Sequence, residues 1–432
     1  MDIDNSFKNI TCDVVIVGSG VAALVCALCL PKNQDILLIT KKTLTDSNSY
    51  LAQGGICVMR GDSDRDNFIE DTLRAGHYQN NKKAVEILVD ESNAAIETLQ
   101  DLGVVFTGNE DGPYYTREGG HSNFRILYHD DITGQSIMES LIDTIKGRNN
   151  INIIENCSMT DILESSNGKE CLGIHAVHSE NNLIVNSRAT VLATGGIGGI
   201  YQNSTNFPHI RGDGIALAIK HNIELNDISY VQIHPTALYE DKSGRRFLIS
   251  ESVRGEGAHL INHKHERFTN ELNPRDLVSK AILEEMKKDN SKYELLDLNP
   301  LENSIEKRFP NIYKKILEIG LNPLEDPIPI VPSQHYTMGG IKVDMDSKSS
   351  MKNLYAIGEV ACTGVHGRNR LASNSLLEGV VFAKRSAKSI VKENAPLICY
   401  KDTITRKTLL SDTEVSIMIK ERIMEDELAK AK

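Results

Sequence analysis

Short runs of hydrophobic residues that end in glycine recur along this chain, and they predict buried strands. The first run, "CDVVIVGSG", is followed by an apolar helical pattern, "VAALVCAL", and then by a second run, "DILLIT". Runs of aliphatic and β-branched residues bounded by glycine are typical of strands covered on both faces of a parallel sheet. The start of the chain therefore predicts a strand, a tight turn, a helix and a second strand.

Two later segments have the same pattern, "TVLATGGIGGIY" at 190–201 and "NLYAIGEVA" at 353–361. Parallel strands that each finish in a glycine-rich turn place those turns at one edge of a doubly wound sheet, where ligands bind. We predict that these strands share one sheet. The fold is then α/β, with a sheet domain that is discontinuous in sequence and covers 1–228 and 341–393.

The intervening segment, 229–340, differs in composition. Polar residues lie in apolar surroundings in "SYVQIHPTALY" and "ISESVRGEGAHLIN", and "LNPLEDPIPIVPSQHY" is rich in proline and predicts a loop. We predict an inserted α+β domain here. The remainder, 394–432, is charged and helical in pattern and long enough for one or two helices.

Charge and hydropathy narrow the classes of function. The net charge of -11 argues against a general nucleic-acid surface, because phosphate binding requires clustered lysine and arginine. No apolar run reaches the roughly 18 residues that a membrane-spanning helix needs. The N-terminal "MDIDNSFKNITCD" is acidic and polar, unlike a secretory signal. We expect a cytoplasmic protein.

The eight cysteines do not form a metal-binding pattern. Cys26 and Cys29 are spaced as CxxC, but they lie within the predicted apolar helix, and no second Cys/His pair follows at zinc spacing. We predict inert, buried thiols and no metal site.

Glycine spacing after the first strand indicates a dinucleotide. Gly18, Gly20 and Ala23 form the pattern G-x-G-x-x-A. The glycines admit a pyrophosphate to the helix N-terminus, and the third small residue allows the helix to pack closely on the strand. The second strand ends in Thr-Lys-Lys (40–42), where an NAD-binding fold usually carries an acid for a ribose hydroxyl. This difference argues against a plain NAD site.

The segment "YYTREGGHSN", 114–123, places the carboxylate of Glu118 beside two glycines. Glycines at such a position let a ligand approach the main chain closely. The simplest interpretation is a solvated turn, and the alternative is that Glu118 contacts a ligand.

Many motifs follow one another in a characteristic order, among them "LAQGGI", "REGGHS", "QIHPTAL", "NPRDLVSKAI", "PSQHYTMGGI" and "GRNRLASNSLLE". In this order the chain resembles, over 12–390, the flavoproteins of the succinate dehydrogenase, fumarate reductase and L-aspartate oxidase superfamily. The resemblance implies a Rossmann-like FAD-binding domain, an inserted capping domain that covers the substrate, and a short C-terminal helical tail. The superfamily often carries a longer C-terminal helical bundle.

The resemblance further implies oxidation or reduction of a four-carbon dicarboxylate against FAD. An arginine offers a planar fork that matches a carboxylate, and Arg370 stands at the position that the family uses for this contact. His234, His335 and Ser250 are the other substrate contacts that the resemblance implies.

Three residues match the catalytic positions of the superfamily. Arg275, in "NPRD", corresponds to the residue placed over the substrate as proton donor or acceptor, and Glu251 and Arg254 resemble its proton relay. Because arginine is a poor acid or base, we expect Arg275 to act at least as much by electrostatic stabilisation as by proton transfer.

The FAD site implied by the resemblance draws on turns from all parts of the predicted sheet. Its residues are Gly18, Ser19, Gly20, Ala23, Lys41, Asn48, Ser49, Ala52, Gln53, Gly54, Gly55, Ala193, Thr194, Gly195, Asp213, Glu359, Asn374, Ser375 and Leu376. The first four would hold the pyrophosphate.

Two positions separate the branches of the superfamily. The membrane-linked dehydrogenases carry a histidine, shortly before the "AQGG" loop, that bonds covalently to the flavin. Here "DSNSYLAQGG" has Asn48 and Ser49 in that region and no histidine. The succinate and fumarate enzymes also have an apolar aromatic residue where this chain has Glu118.

These differences favour the L-aspartate-oxidising branch, in which L-aspartate and FAD give iminoaspartate and reduced flavin. The resemblance implies reoxidation by oxygen or fumarate, and hand-off of iminoaspartate to quinolinate synthase in the first step of NAD biosynthesis. Glu118 would contact the substrate ammonium, which makes it both a catalytic and a substrate-binding residue. The alternatives are a soluble fumarate reductase or succinate dehydrogenase flavoprotein subunit, and a non-catalytic FAD-binding assembly subunit.

We predict that the flavin is held without a covalent bond, because neither Asn48 nor Ser49 can supply the imidazole nitrogen that such a bond uses. Acid precipitation of the holo-protein should leave yellow cofactor in the supernatant. Flavin that stays with the denatured pellet would contradict this prediction.

Overall fold

The computed structural model describes residues 8–179, 181–242, 244–301, 304–400 and 410–431. Its helices are α1 (Val21–Cys29), α2 (Arg65–Ala75), α3 (Lys82–Asp90), α4 (Ser92–Asp101), α5 (Thr133–Lys146), α6 (Asp213–Lys220), α7 (Glu251–Gly255), α8 (Arg275–Lys288), α9 (Ile305–Arg308), α10 (Pro310–Glu318), α11 (Asn374–Glu393) and α12 (Asp412–Lys430). Short 3₁₀ helices cover Asp62–Asp64, Gly198–Ile200 and Gly358–Val360.

The strands are β1 (Lys8–Val17), β2 (Ile36–Ile39), β3 (Ile56–Cys57), β4 (Gly108–Asn109), β5 (Gly112–Pro113), β6 (Tyr115–Thr116), β7 (Ile126–Leu127), β8 (Ile151–Ile154), β9 (Cys157–Glu164), β10 (Cys171–His178), β11 (Asn181–Leu192), β12 (Leu225–Asn226), β13 (Val231–Leu238), β14 (His259–Ile261), β15 (Glu294–Asp297), β16 (Ile328–Thr337), β17 (Gly340–Lys342), β18 (Leu354–Ala356) and β19 (Ala361–Cys362).

The main sheet has the strand order β8-β2-β1-β11-β10-β9, and β18 pairs with the last residues of β11. Strands β8, β2, β1, β11 and β18 run parallel, so their carboxyl ends lie at one edge. The register aligns Val17 with both Ile39 and Leu192. The glycine-rich turns after β1, β11 and β18 are therefore neighbours, as predicted, although the last strand follows the others by more than a hundred and fifty residues.

Alternate residues of the central strands pack into two hydrophobic cores. Val14 and Ile16 join α1, α5 and α11 on one face, while Val15 and Val17 join α6 and α12 on the other. Because helices cover both faces, the strand must be apolar at successive positions, which is why the run lacks polar alternation.

A second sheet, with the order β13-β16-β15-β14, is antiparallel throughout. Helices α8, α9 and α10 contribute to its hydrophobic core, which is separate from the two cores of the main sheet. The side chains that this sheet and its helices direct away from their core form part of the site described below.

The predicted loop at 321–336 is wrong for its second half, which belongs to β16. Pro329 lies opposite Leu295, and Pro332 lies in the irregular stretch where β13 and β16 change register. A proline is tolerated in a strand where no partner requires its missing backbone N–H, as at bulges and irregular pairings. The proline content hid a strand whose remaining residues are buried, except for the half-buried His335.

The C-terminal segment contains one helix, α12, within its described residues, and 401–409 and 432 lie outside them. Ile419 is fully buried beside Gly212, at the start of α6. Near the end of α12, Asp426 accepts hydrogen bonds from Ser229, and Lys430 pairs with Asp227 at 2.9 Å. The tail helix is thus fixed to the main body at its middle and near its C-terminal end.

Six of the eight cysteines are buried and none is disulfide-bonded, but Cys29 is half-buried and Cys399 is exposed. The prediction of buried thiols is therefore wrong for Cys399. Burial raises the pKa of the Cys26 thiol to about 12, which makes it unreactive, as expected of a thiol inside a buried helix.

No helix of the described residues is long and apolar enough to cross a membrane.

Glu294, at the start of β15, is a fully buried carboxylate whose two oxygens have no hydrogen-bond partner among the described residues. Burial, together with the charges of Asp289 and Glu285, raises its pKa to about 7, against an opposing effect of His263. Glu285 differs because Lys288 and Asn262 bond to it at 2.8 and 3.1 Å, and these bonds lower its pKa.

We predict that Glu294→Gln stabilises the protein in mild alkali but not in mild acid. The folded-state pKa lies above the unfolded value of 4.5, so Glu294 costs stability increasingly as the pH rises from about 4.5, and the full cost is reached above about 7. Urea unfolding should show a gain of about 1–3 kcal/mol near pH 8 and little change near pH 5. Glu285→Gln is the matched control and should give no gain. A gain from Glu294→Gln that is equal at both pH values would contradict the prediction.

Candidate active site

The carboxyl ends of the parallel strands open onto a cavity of about 400 Å³. Its wall combines the glycine-rich turns of the main sheet with residues from β13, α7, α8 and β16. The two sheets therefore meet around one enclosed space, and neither forms it alone.

Most residues predicted to contact the cofactor line this cavity. They are Gly18, Ser19, Gly20, Lys41, Asn48, Ser49, Ala52, Gln53, Gly54, Gly55, Ala193, Thr194, Gly195, Asp213, Glu359, Ser375 and Leu376.

Ala23 and Asn374 do not line the cavity, and the prediction that they contact the cofactor is not supported by their positions. Ala23 lies fully buried on the side of α1 that packs in the core, where its small size permits close packing. Asn374 is also fully buried, and its amide donates to Thr72 Oγ1 at 3.2 Å. Both residues support the wall from behind.

The cavity wall fits an extended, polar-ended ligand such as FAD. Helix α1 begins at Gly20 without a side-chain cap and without an acid in its first turn, so its N-terminus remains favourable for a phosphate. Thr194 Oγ1 and Gln53 Oε1 are buried atoms of this wall that have no partner among the described residues. Buried polar groups are almost always satisfied, so these two atoms indicate that a polar ligand completes the site.

Two sequence features of the cofactor region have structural explanations. Gly18 has φ +125°, and a Cβ there would lie 2.1 Å from the carbonyl oxygen of Ala193, so this glycine allows two turns of the sheet to approach each other. Lys41, which stands near the usual position of an acid, pairs with Asp213 of α6 at 2.9 Å. The basic residue after β2 is thus neutralised within the fold.

Arg370 is a buried cation without a carboxylate partner among the described residues. Its Nη1 donates to Ser375 Oγ at 3.0 Å, its guanidinium lies 4.7 Å from the centre of the Tyr336 ring, and its Nε has no partner in that part of the chain. Burial and the charge of Arg275 lower the pKa of Arg370 to about 10. A buried charge is costly unless it is paired, so Arg370 is placed to receive an anion from the cavity.

Arg275, the first residue of α8, lines the same cavity but has protein partners. Its Nε donates to the Glu251 carboxylate, and its Nη1 donates to Gln232 Oε1 at 2.9 Å. Gln232 in turn donates to the backbone carbonyl of Arg370 at 2.8 Å. The two arginines are therefore held in one hydrogen-bonded assembly.

His234 and His335 lie beside the arginines with their ring centres 5.1 Å apart. Burial and the charge of Arg275 hold the pKa of each well below its usual range, so both rings are neutral. His234 Nδ1 accepts the backbone N–H of Thr236 at 3.2 Å, which leaves the ring proton on Nε2. His234 can thus donate a hydrogen bond to a carboxylate without adding a charge.

Glu118 is 5% exposed, so the interpretation as a solvated turn is wrong. Ser252 and Ser373 donate to its two oxygens at 3.0 and 2.7 Å. Burial and the charge of Glu251 raise the pKa of Glu118, although Arg275 opposes the shift. For Glu251 burial acts in the same upward direction, but Arg275 and Arg254 outweigh it and lower the pKa.

The glycines near Glu118 make room for carboxylates. A Cβ on Gly119 would lie 2.6 Å from Glu251 Oε1, and one on Gly54 would lie 2.8 Å from Glu118 Oε1. These two glycines allow both acids to reach the cavity wall. The glycines were predicted to let a ligand approach the main chain closely. In this structure the groups that approach Gly119 and Gly54 are the carboxylates of Glu251 and Glu118.

Arg254 does not line the cavity. It is buried behind Glu251, with its Nη2 3.9 Å from Glu251 Oε2 and its Nη1 bonded to the carbonyl oxygen of Glu271. Ser250, by contrast, lines the cavity and caps α7.

Several residues of the site were not predicted from the sequence. Ser373 holds Glu118, Gln232 joins the arginines, and the Tyr336 hydroxyl donates to Glu378 at 2.9 Å while its ring supports Arg370. All lie within motifs quoted above, but a motif does not show which of its polar residues are brought together. The sequence signal that could have identified such a residue is a polar side chain in apolar surroundings, as at Gln232.

Comparison with known proteins agrees with this geometry. The family described as an FAD binding domain matches residues 13–376. The L-aspartate oxidase of Clostridium perfringens is 53% identical over 88% of this chain and 86% of its own length, and that of Neisseria meningitidis is 42% identical over 89% and 78%. The chain belongs to the L-aspartate oxidase family.

Members of this family and of the FAD-binding family share the cofactor, so the ligand that completes the cavity wall is FAD. This chain also has the same fold as a more distant relative, a quinol fumarate reductase of Escherichia coli. That structure has a TM-score of 0.84 and 28% identity over 98% of this chain and 74% of its own. The mixed α/β fold with a C-terminal helix is therefore established.

We predict that succinate stabilises the holo-protein, because Arg370 and the neighbouring neutral histidines require an anion. A ligand that binds only the folded state raises the melting temperature by mass action. Butanoate, which has the same chain length but one carboxylate, should have little effect at the same concentration. Arg370→Leu should remove most of the succinate shift, and Arg60→Leu, which changes a surface arginine, should preserve it. An equal shift with both acids would contradict the assignment.

Proposed function

We infer that this chain oxidises L-aspartate to iminoaspartate. L-Aspartate loses a hydride from Cα and a proton from its amino group, and FAD, when bound, supplies the two-electron acceptor. The observation that carries this choice of substrate is Glu118, a buried carboxylate in the wall of the cavity near Arg275 and Arg370. A dicarboxylate alone would gain nothing from an acid at that place.

Each charged group of L-aspartate has a counterpart in the site. Arg370 offers a planar fork to one carboxylate. His234, His335 and Ser250 offer neutral donors to the remaining oxygens. Arg275 stabilises negative charge that develops during the reaction, and the Glu251 carboxylate, itself beside Arg254, holds Arg275 in position.

Glu118 is proposed to receive the substrate ammonium. An ammonium among Arg275, Arg370 and Arg254 would be repelled without a nearby anion. The two serines that donate to Glu118 stabilise its charged form and fix its orientation, while Gly54 provides the space for it. Burial and Glu251 raise the pKa of Glu118, and an approaching ammonium would act in the opposite direction and favour the ionised carboxylate.

We further propose that the site is divided between domains as predicted from the sequence. The FAD-binding domain would cover 1–228 and 341–393, the capping domain 229–340, and the C-terminal helical segment 394–432. Support comes from the separate hydrophobic core of the second sheet and its helices. Closure of such a cap would exclude water and strengthen the attraction between the arginines and the substrate carboxylates.

The proposed cellular role follows from the product. Oxygen or fumarate would reoxidise the flavin, and the relationship to a quinol fumarate reductase supports fumarate. Iminoaspartate hydrolyses readily, so direct hand-off to quinolinate synthase in the cytoplasm would protect it during the first step of NAD biosynthesis. The flavin is proposed to be non-covalent.

The test is a steady-state comparison of L-aspartate, succinate and fumarate as substrates, with and without oxygen. Oxidation of L-aspartate at a higher kcat/KM than succinate supports the proposal. A preference for succinate would favour the dehydrogenase alternative, and absence of turnover with all three would favour the non-catalytic alternative.

Glu118→Gln should separate the two reactions of the site. Loss of one partner of a buried charge pair costs about 3–5 kcal/mol, or at least a hundredfold in affinity. We expect oxidation of L-aspartate to fall by about that factor, while fumarate reduction by reduced flavin continues because fumarate has no ammonium. Glu110→Gln, at an exposed position of the same segment, is the control and should change neither reaction. Equal loss of both reactions in Glu118→Gln would mean that Glu118 supports the fold or the flavin.

A further inference from the structure

The turn that follows α2, residues 76–81, contacts both segments that carry the arginines of the site. We call it the α2 turn. On one side it meets the loop 364–370, which ends in Arg370, and on the other it meets the first turn of α8, which begins with Arg275. The α2 turn itself does not line the cavity.

Backbone and amide hydrogen bonds fix the α2 turn to the Arg370 loop. Arg368 N donates to Gly76 O at 3.1 Å, and Asn81 N donates to Gly364 O at 2.7 Å. Asn80 Nδ2 donates to Val365 O at 2.7 Å. These bonds extend along the whole loop, so the turn and the loop form one rigid unit.

The α2 turn contacts α8 through side chains and not through backbone hydrogen bonds. His77 Nε2 lies 3.2 Å from Asp276 Oδ2, and the two side chains are 44% and 41% exposed. Asp276 directly follows Arg275, in the first turn of the helix. Its other carboxylate oxygen, Oδ1, is buried without a hydrogen-bond partner among the described residues, so the bond from His77 accounts for much of its polar stabilisation.

The backbone of the α2 turn is held in an uncommon conformation that presents His77 to α8. His77 and Tyr78 both have φ +56°, a region that residues other than glycine and asparagine rarely occupy. Bonds from His77 N to Arg74 O and from Tyr78 N to Leu73 O, at 3.1 and 2.8 Å, maintain it. Two consecutive residues in this region indicate a local conformation that the surrounding structure enforces.

We propose that His77 is a positioning residue for the oxidation of L-aspartate. Through Asp276 it holds the first turn of α8, and hence Arg275, at a fixed distance from Arg370. The α2 turn is fixed on one side to the loop that ends in Arg370, and on the other side the contact between His77 and Asp276 holds the helix that begins with Arg275. Reaction rates depend on such alignment to within about 1 Å, so loosening α8 slows the chemical step before it weakens substrate binding.

His77→Asn is the test variant. Asparagine accepts the left-handed conformation at least as well as histidine, so the turn is retained, but its side chain is too short to reach Asp276. Tyr78→Asn is the matched control, because Tyr78 has the same φ and its hydroxyl bonds Glu70 of α2 instead of α8. Steady-state kinetics with L-aspartate, FAD titration and thermal unfolding are measured for each.

We expect His77→Asn to lower kcat about two- to fivefold, as for the loss of one exposed side-chain hydrogen bond, with KM and FAD affinity little changed. Tyr78→Asn should match the wild type. His77→Gln, whose longer amide can still donate to Asp276, should recover most of the rate. In a double-mutant cycle with Asp276→Ala, the losses should not add, because both changes remove the same contact.

Three results would overturn the proposal: an unchanged kcat in His77→Asn, losses that add in the cycle, or a fall in FAD affinity or melting temperature that accounts for the slower rate. The proposal rests on the proposed function, and the two can fail separately. No turnover of L-aspartate by the wild type would contradict the function, whereas equal turnover by wild type and His77→Asn would contradict only the positioning role.

Discussion

A buried arginine that lacks a carboxylate partner among the described residues is the constraint on which this site depends. Arg370 keeps its charge in a desolvated cavity only because the Tyr336 ring, Ser375 and the more distant acids partly offset the cost. A closer acid would neutralise it and remove its capacity to bind an anion. The surrounding structure therefore stabilises this cation incompletely, and the missing part of the stabilisation is left to the substrate.

The other titratable groups are arranged so that the cluster does not repel itself. Two histidines stay neutral beside the arginines, and the two nearby carboxyl groups are shifted in opposite directions. Glu251 is kept charged by Arg275 and Arg254, whereas the pKa of Glu118 is raised by burial and by the charge of Glu251. One acid is thus committed to the protein, and the other remains available to a ligand cation. Under the proposed function, this difference between the two acids allows a site with cations for carboxylates to accept an amino group as well.

Position within the fold makes this arrangement possible. Parallel strands bring glycine-rich turns from distant parts of the chain to one edge, where they form the wall of the FAD site. The second sheet supplies His234 and His335, and α8 supplies Arg275, from the opposite side of the same cavity. Because the two sets of residues come from separate cores, small shifts between them change the spacing of the arginines. Contacts such as His77 with Asp276, which join the two sides, are therefore important to the chemistry although they lie outside the cavity wall.

The sequence by itself determined the parallel sheet and the glycine-rich turns at its edge, because buried strands and glycine turns are local patterns with local causes. It also showed the absence of a flavin-linking histidine before "AQGG". It failed at β16, where prolines concealed a strand that is stabilised by its partners. It also did not show that Ala23 and Asn374 lie behind the cavity wall. Only the tertiary structure decided that Glu118 is buried, that Gly54 and Gly119 make room for acids, and that Gln232 joins the two arginines. These facts depend on contacts between residues far apart in the chain, and burial and charge coupling are properties of such contacts, not of any single segment.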